Sequence, residues 1–116
     1  MPNDIAGLIE DLKKHIAACE FPAAGELVDT AIAELARGQT AFDLKQRKVV
    51  LGALRGARQF ETLGRMAQAL MLAGHDDPAS PDFDPMVRRQ YAQSLIEAGQ
   101  LTAAIDTLRT GLALIA

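Results

Sequence analysis

One short turn sequence recurs three times along the chain and constrains the fold more than any other feature. Each copy begins with Ala, has Glu or Gln two places later, and continues with Phe or Leu: Ala18–Ala24, Ala57–Leu63 and Ala98–Ala104. The copies start at positions 18, 57 and 98, so the repeat spacings are 39 and 41 residues. Repetition at this period is typical of stacked helical hairpins.

The third copy lies in the stretch Tyr91–Leu108, which indicates two helices joined by a tight turn. Gly99 stands where a helix commonly ends with a left-handed residue. Apolar residues recur at spacings of three and four on both sides of this turn, as on one face of a helix. They are Tyr91, Leu95 and Ile96 before the turn, and Ala104, Ile105, Leu108, Leu112 and Ile115 after it. The stretch therefore predicts a helical hairpin.

Composition favours an all-α fold. The chain has 116 residues, enough for one domain over 1–116, and 49% of them are hydrophobic. Four Phe, one Tyr and no Trp supply little aromatic volume, and the chain lacks the β-branched runs of period two that a sheet would need. We therefore expect about six helices in three consecutive antiparallel hairpins, and no strand.

Helix start and stop signals give the boundaries of these hairpins. Asn3 and Asp4 suit the N-cap of a first helix, and Asp84 followed by Pro85 suits the start of the fifth. The predicted hairpins cover about 4–37, 41–74 and 84–116, and an Asp/Pro-rich loop covers 75–84. Glycines inside a helix each cost roughly 1 kcal/mol relative to Ala. We expect close helix packing to compensate at three of them: Gly52, Gly56 and Gly64.

The last hairpin resembles the tetratricopeptide repeat family. The residues that carry the resemblance are Tyr91-Ala92, Leu95, Gly99, Leu101, Ala104-Ile105, Leu108 and Leu112. It implies a short right-handed array of three hairpins that acts in protein–protein interaction. The stretch Arg88–Gly99 also resembles degenerate repeats of bacterial multidomain proteins, where they accompany effector domains in signalling and defence. This implies an adaptor or sensor module of a larger bacterial protein.

A basic surface is expected along the concave face of such an array. The segment from Lys45 to Arg65 has six basic residues and one acidic residue, a local charge of +5 in a chain whose net charge is −3. An acidic peptide or a C-terminal carboxylate is the natural ligand, and the arrangement resembles the carboxylate clamp of some tetratricopeptide proteins. The family register places these candidate contacts on that face: Lys13, Lys45, Lys48, Arg55, Arg89 and Gln93.

Other interpretations of these residues stay open. The simpler explanation, which the sequence favours, is that the cations form a solvated helix face whose stems cover apolar surface. Nucleic acid is the less favoured ligand, because the segment lacks interleaved aromatic residues. The final helix ends in apolar residues, so Leu112 and Ile115 are expected at an interface with another domain or in a homodimer. A structural or oligomerisation module is therefore the alternative function.

The sequence predicts no enzyme, metal site or cofactor. His15 and Cys19 lie four residues apart, but two ligands do not make a zinc site. The aspartates of the loop 75–84 lack the spacing of a calcium-binding loop and are interpreted as turn and capping residues. The single cysteine and the absence of a long apolar segment favour a cytoplasmic protein with no membrane contact.

Overall fold

The three repeated segments form the same turn. In the computed structural model, which describes residues 5–115, six helices and one π-helical turn follow in order. They are α1 (Ile5–Ala17), α2 (Phe21–Ala36), α3 (Leu44–Gly56), α4 (Phe60–Leu70), the π-helical turn (Met71–His75), α5 (Pro85–Glu97) and α6 (Leu101–Ile115). Residues 5–115 contain no strand, which confirms the predicted all-α class.

Hydrogen bonds repeat from one turn to the next. Cys19, Arg58 and Gly99 occupy the equivalent left-handed position, with φ of 57°, 58° and 77°. The next residue donates its backbone N–H to a carbonyl five places back, at 2.8 Å for Glu20, 2.9 Å for Gln59 and 2.9 Å for Gln100. This bond closes the helix end in the Schellman pattern. The predicted turn repeat is therefore a repeat of backbone geometry.

Capping residues start two of the helices as expected. Asp43 forms a capping box with Gln46, in which each side chain accepts a hydrogen bond from the other residue's backbone N–H, at 2.7 and 2.9 Å. The Asp84 side chain accepts from the backbone N–H of Met86 at 3.2 Å, and Pro85 takes the first helical position. The predicted caps Asn3 and Asp4 lie outside the described residues.

The first two hairpins stack regularly, whereas the third is attached differently. Helix α1 packs against α2 and α3, and α2 also packs against α4. Helix α5 packs mainly on α4. Within residues 5–115, α5 is the one helix against which α6 packs extensively. The hydrophobic core consequently draws on α1 to α5 and on Phe42, and the described part of α6 contributes only buried Ala104 outside that cluster.

A buried ion pair joins the second hairpin to the start of the third. Arg47 on α3 donates from Nε to Asp84 Oδ2 at 3.0 Å and from Nη1 to the Phe42 carbonyl at 2.7 Å. The Asp84 backbone N–H donates to the His75 carbonyl at 2.8 Å. His75 in turn donates from Nδ1 to the Asp82 carbonyl at 2.9 Å. These bonds hold the connection between α4 and α5 against the beginning of α3.

The expected close packing occurs at one of the three glycines inside the second hairpin. A Cβ atom added at Gly64 would lie 2.6 Å from Ser94 Oγ, so this glycine permits the close approach of α4 and α5. The expectation is wrong for Gly52 and Gly56, because an added Cβ would meet no atom within 4 Å. A glycine in the sequence therefore does not by itself show whether its position lies at a helix crossing or on an open helix surface.

Candidate protein-docking surface

Five large aliphatic side chains form an exposed stripe along α6. Their exposed fractions lie between 38% for Leu108 and 65% for Leu112. Successive members are four, three, four and three residues apart, which is the spacing of the seam of a coiled coil. The members of this α6 stripe are Leu101, Ile105, Leu108, Leu112 and Ile115. Another helix is the element that such a stripe packs against most readily.

The adjacent side of α6 is held by α5 through Arg88. The Arg88 guanidinium donates to the Thr107 carbonyl at 3.1 Å and pairs through two nitrogens with the Asp76 carboxylate. A Cβ atom added at Gly111 would lie 2.6 Å from Arg88 Cδ, so the glycine makes room for the arginine stem. Helix α6 is thereby fixed in rotation, and the α6 stripe stays exposed beside its contact with α5.

A groove runs between the C-terminal half of α6 and the beginning of α5. It has a volume of about 540 Å³. The lining is mainly apolar, with the Arg88–Asp76 pair and Arg89 as its charged members. The apolar lining residues are Phe83, Pro85, Leu108, Gly111, Leu112, Leu114 and Ile115. The groove is continuous with the α6 stripe, because Leu108, Leu112 and Ile115 belong to both.

Charge is distributed unevenly along this surface. Arg89 lies at the groove, and Arg109 on α6 follows Leu108 of the stripe. Asp106 lies one helical turn before Arg109, and Glu97 ends α5 beside the turn into α6. Among the described residues, Asp106 and Arg109 make no side-chain hydrogen bond or ion pair. Both charges are therefore free to meet a partner.

The structure brings together part of the predicted site. Arg89, Leu112 and Ile115 line the same groove. Lys45, Lys48 and Arg55 are exposed on α3, outside this groove. Lys13 on α1 is exposed and pairs with Glu10 at 3.5 Å, and the Gln93 amide donates to Glu97 at 3.0 Å. The predicted contacts thus divide between the α3 surface and the α5–α6 surface.

Two cations of the basic segment are paired with carboxylates, one in the interior of the protein and one at its surface. Arg47 is 5% exposed and forms the buried pair with Asp84. Arg65 pairs with Asp29 on α2. The basic charge of the segment that has no carboxylate partner is accordingly lower by two than the sequence count. Four exposed cations of the segment have no carboxylate partner among residues 5–115: Lys45, Lys48, Arg55 and Arg58.

Sequence reasoning identified only the end of the α6 stripe. Leu101, Ile105 and Leu108 were interpreted as hairpin packing residues, but they are 58%, 48% and 38% exposed. The spacing between successive apolar residues could have identified them, because it alternates between four and three residues along the whole of α6. The pairing of Arg88 with Asp76 was not predicted, since it joins α5 to the loop.

The His, Cys and Asp side chains that the sequence singled out lie apart in residues 5–115. No group of three or more His, Cys, Asp or Glu side chains within residues 5–115 is arranged to hold a metal ion. His15 Nδ1 lies 3.0 Å from Glu20 Oε1, and Cys19 is exposed in the turn between α1 and α2. In the loop, Asp77 accepts from the Ala79 backbone N–H at 2.9 Å, as expected of a turn residue.

Comparison with known proteins adds no relative to this description. Neither a family model, nor a curated protein, nor a solved structure matches the chain. Each helix in residues 5–115 is too short or too polar to cross a bilayer. The fold and the α6 stripe together define an all-α domain with an exposed apolar helix face.

Proposed function

We propose that the protein is a non-enzymatic protein–protein interaction module that docks a helix onto the α6 stripe. The observation that carries the proposal is the exposure of all five stripe residues on a helix whose rotation is fixed by Arg88. A stripe at coiled-coil spacing presents knobs and holes to a second helix of similar pattern. Helix-in-groove recognition uses the same spacing of apolar anchors.

The size of the stripe supports a binding role. Five Leu and Ile side chains at roughly half exposure present on the order of 300–400 Å² of apolar surface. This lies within the range of about 300–600 Å² for the largest apolar patch of a typical monomer, which is often functional. The groove beside Leu108 and Leu112 extends the area that a partner can cover.

The wider role follows from the sequence resemblance and from the chemistry of Cys19. We assign the module an adaptor or sensor role within a larger bacterial protein, where it links a partner to an effector domain. A cytoplasmic location agrees with an exposed thiol that has no second cysteine to pair with. No catalytic step is assigned to any residue.

The basic α3 surface is a second candidate for binding. Lys45, Lys48 and Arg55 are exposed and have no carboxylate partner among the described residues. An acidic peptide or a C-terminal carboxylate would supply the missing charge through charge-assisted hydrogen bonds. This candidate ranks second because the three cations lie on one helix surface and line none of the cavities described above.

Two fluorescent peptides separate the candidates by anisotropy titration. The first is an amphipathic helix with leucines at alternating spacings of four and three, and the second is a flexible acidic peptide with a free C-terminal carboxylate. Leu112→Glu should weaken binding of the leucine peptide at least about tenfold, because it places a charge in the apolar seam. Lys48→Glu should leave that peptide unaffected and weaken only the acidic one.

Leu72→Glu is the matched control for Leu112→Glu. Leu72 is 84% exposed but lies on the π-helical turn, outside the α6 stripe. The same substitution there should leave the affinity for the leucine peptide unchanged. Equal losses in both variants, or no binding of the leucine peptide to the unaltered chain, would contradict docking on α6. Binding of the acidic peptide alone would favour the α3 surface instead.

A further inference from the structure

We propose that a cavity beside the α4–α5 connection binds a linear aliphatic diamine in its doubly protonated form. This His75 cavity goes beyond the proposed function, because it shares no lining residue with the α6 stripe or with the groove beside it. Its volume is about 510 Å³, within the range of roughly 300–1,000 Å³ that is usual for small-molecule sites. The lining residues that carry the proposal are His75, Asp43, Asp82, Leu35, Phe42 and Ala73.

His75 presents a hydrogen-bond acceptor at the wall of this cavity. The residue is 6% exposed, and its Nδ1 lies 2.9 Å from the Asp82 carbonyl oxygen. Because a carbonyl oxygen can only accept, Nδ1 carries the ring proton, and Nε2 of the neutral imidazole has a free lone pair. Within residues 5–115, Nε2 has no hydrogen-bond partner, and solvent still reaches it. A buried histidine thus has one acceptor open to a ligand.

Two carboxylates line the same cavity without a cation beside them. Asp43 Oδ1 accepts from the Gln46 backbone N–H at 2.7 Å, which leaves Oδ2 for a ligand. The Asp82 carboxylate makes no hydrogen bond or ion pair within residues 5–115. Neither Arg nor Lys is among the described residues that line the cavity. The cavity therefore has two negative charges that a cationic ligand would balance.

The cation that fits this cavity is extended and partly apolar. No three His, Cys, Asp or Glu side chains within residues 5–115 are arranged to hold one metal ion, so the three acceptors do not converge on a point. Leu35, Phe42 and Ala73 add apolar surface that an aliphatic chain can cover. An ammonium group donates three hydrogen bonds and accepts none, which matches imidazole and carboxylate acceptors. A diamine has two such groups on an aliphatic chain.

The acceptors are held in place before a ligand binds. The His75 carbonyl accepts from the Asp84 backbone N–H at 2.8 Å, and the Asp82 backbone N–H donates to Ser80 Oγ at 3.1 Å. Asp43 is fixed by its capping box with Gln46. Such preorganisation lowers the entropy that binding costs. Substitutions that keep these bonds and remove one acceptor are consequently the sharpest tests of the site.

His75→Asn removes the acceptor and keeps the donor. The asparagine amide N–H can replace Nδ1 and donate to the Asp82 carbonyl, but the side chain ends before the position of Nε2. The dissociation constant for diaminobutane should rise at least about tenfold, because a hydrogen bond to a charged group is lost. His75→Gln, whose amide oxygen can reach the position of Nε2, should bind more tightly than His75→Asn.

The charge requirement is tested with asparagine at both aspartates. Asp43→Asn combined with Asp82→Asn should weaken diaminobutane binding at least about tenfold, while asparagine still caps α3. Asp77→Asn is the matched control, since Asp77 lies in the same loop but does not line the cavity, and it should leave the affinity unchanged. Butanediol, the uncharged analogue, should bind at least about tenfold more weakly than diaminobutane.

The measurement is an NMR titration of the full chain at low ionic strength, where charges are screened least. Far-UV circular dichroism checks that each variant stays helical. Should His75→Asn fail to fold, the double aspartate variant against Asp77→Asn decides the outcome, because all three aspartates are exposed.

Four results would overturn the inference. They are no binding of diaminobutane, equal binding of butanediol, an affinity unchanged in the folded His75→Asn variant, and an equal loss in Asp77→Asn. Nα-acetyl-lysine methylamide tests the alternative source of an alkylammonium group, the lysine side chain of another protein. If it binds more tightly than diaminobutane, the diamine is the wrong ligand.

Discussion

Helices α1 and α6 have similar apolar patterns but opposite surroundings. On α1, Ile5, Ile9 and Leu12 are buried because both α2 and α3 pack against that face. On α6, only Ala104 is buried among residues 101–115, and the larger aliphatic residues of the stripe stay exposed. An amphipathic pattern therefore indicates that one face of a helix is suited to packing. Whether the same chain covers that face depends on how many neighbouring helices the fold provides.

The position of the third hairpin explains the difference. Its attachment relies on α5, which packs on α4 across Gly64 and is joined to α3 by the Arg47–Asp84 pair. Helix α6 then lies on the far side of α5, where residues 5–115 place no further helix. The first two hairpins are consequently stabilised by a shared core, whereas the outer face of the third is left exposed.

The largest expected effect comes from breaking the link between these regions. Arg47→Leu should lower the free energy of unfolding by about 3–5 kcal/mol, because it leaves the Asp84 carboxylate buried without its partner. Urea denaturation followed by circular dichroism measures this loss. A second substitution, Asp84→Asn, should recover part of it in the Arg47→Leu background, since asparagine removes the charge and still caps α5.

The double variant decides whether the pair acts through its charge. If Asp84→Asn recovers no stability in the Arg47→Leu background, the loss reflects missing packing around the arginine rather than an unpaired carboxylate. Arg58, which is exposed beside the Phe60 ring, offers a comparison for removing an arginine. Arg58→Leu should change the free energy of unfolding by less than about 1 kcal/mol.

Truncating one leucine in each region should sharpen the contrast. Leu54 on α3 is fully buried, so Leu54→Ala should cost about 2–5 kcal/mol through lost burial and a residual cavity. Leu112→Ala should cost less than about 1 kcal/mol in the monomer, since Leu112 is largely exposed. Both values are obtained from urea denaturation at low protein concentration. Similar losses would mean that the α6 stripe is covered within the monomer.

The smallest expected change in stability comes from substitutions in the turns, because the first and third hairpins have turns of the same geometry. Cys19 and Gly99 occupy the same left-handed position in their turns. Cys19→Gly should raise the thermal midpoint, with a gain of about 0.5–1 kcal/mol, because glycine adopts positive φ without a Cβ clash. Gly99→Ala should lower it by a similar or slightly larger amount. Changes of the same sign in both variants would contradict the equivalence of the turns.

Local features of the fold could be predicted from the sequence, whereas contacts between distant residues could not. The left-handed turn at Gly99 and the cap at Asp84 involve hydrogen bonds between residues close in the chain. Arg47 and Asp84 are 37 residues apart, so only the packing of α3 against the loop reveals their pair. For the same reason, the basic segment was counted with Arg47 among its surface charges.

The sequence by itself determined where the helices start and end, and that three equivalent turns join them in pairs. Those properties depend on backbone hydrogen bonds that span about five residues, and on capping side chains next to them. The tertiary structure decided which apolar faces are covered and which cations are neutralised. Burial and ion pairing depend on where distant helices pack, and in this protein that packing leaves the α6 stripe exposed.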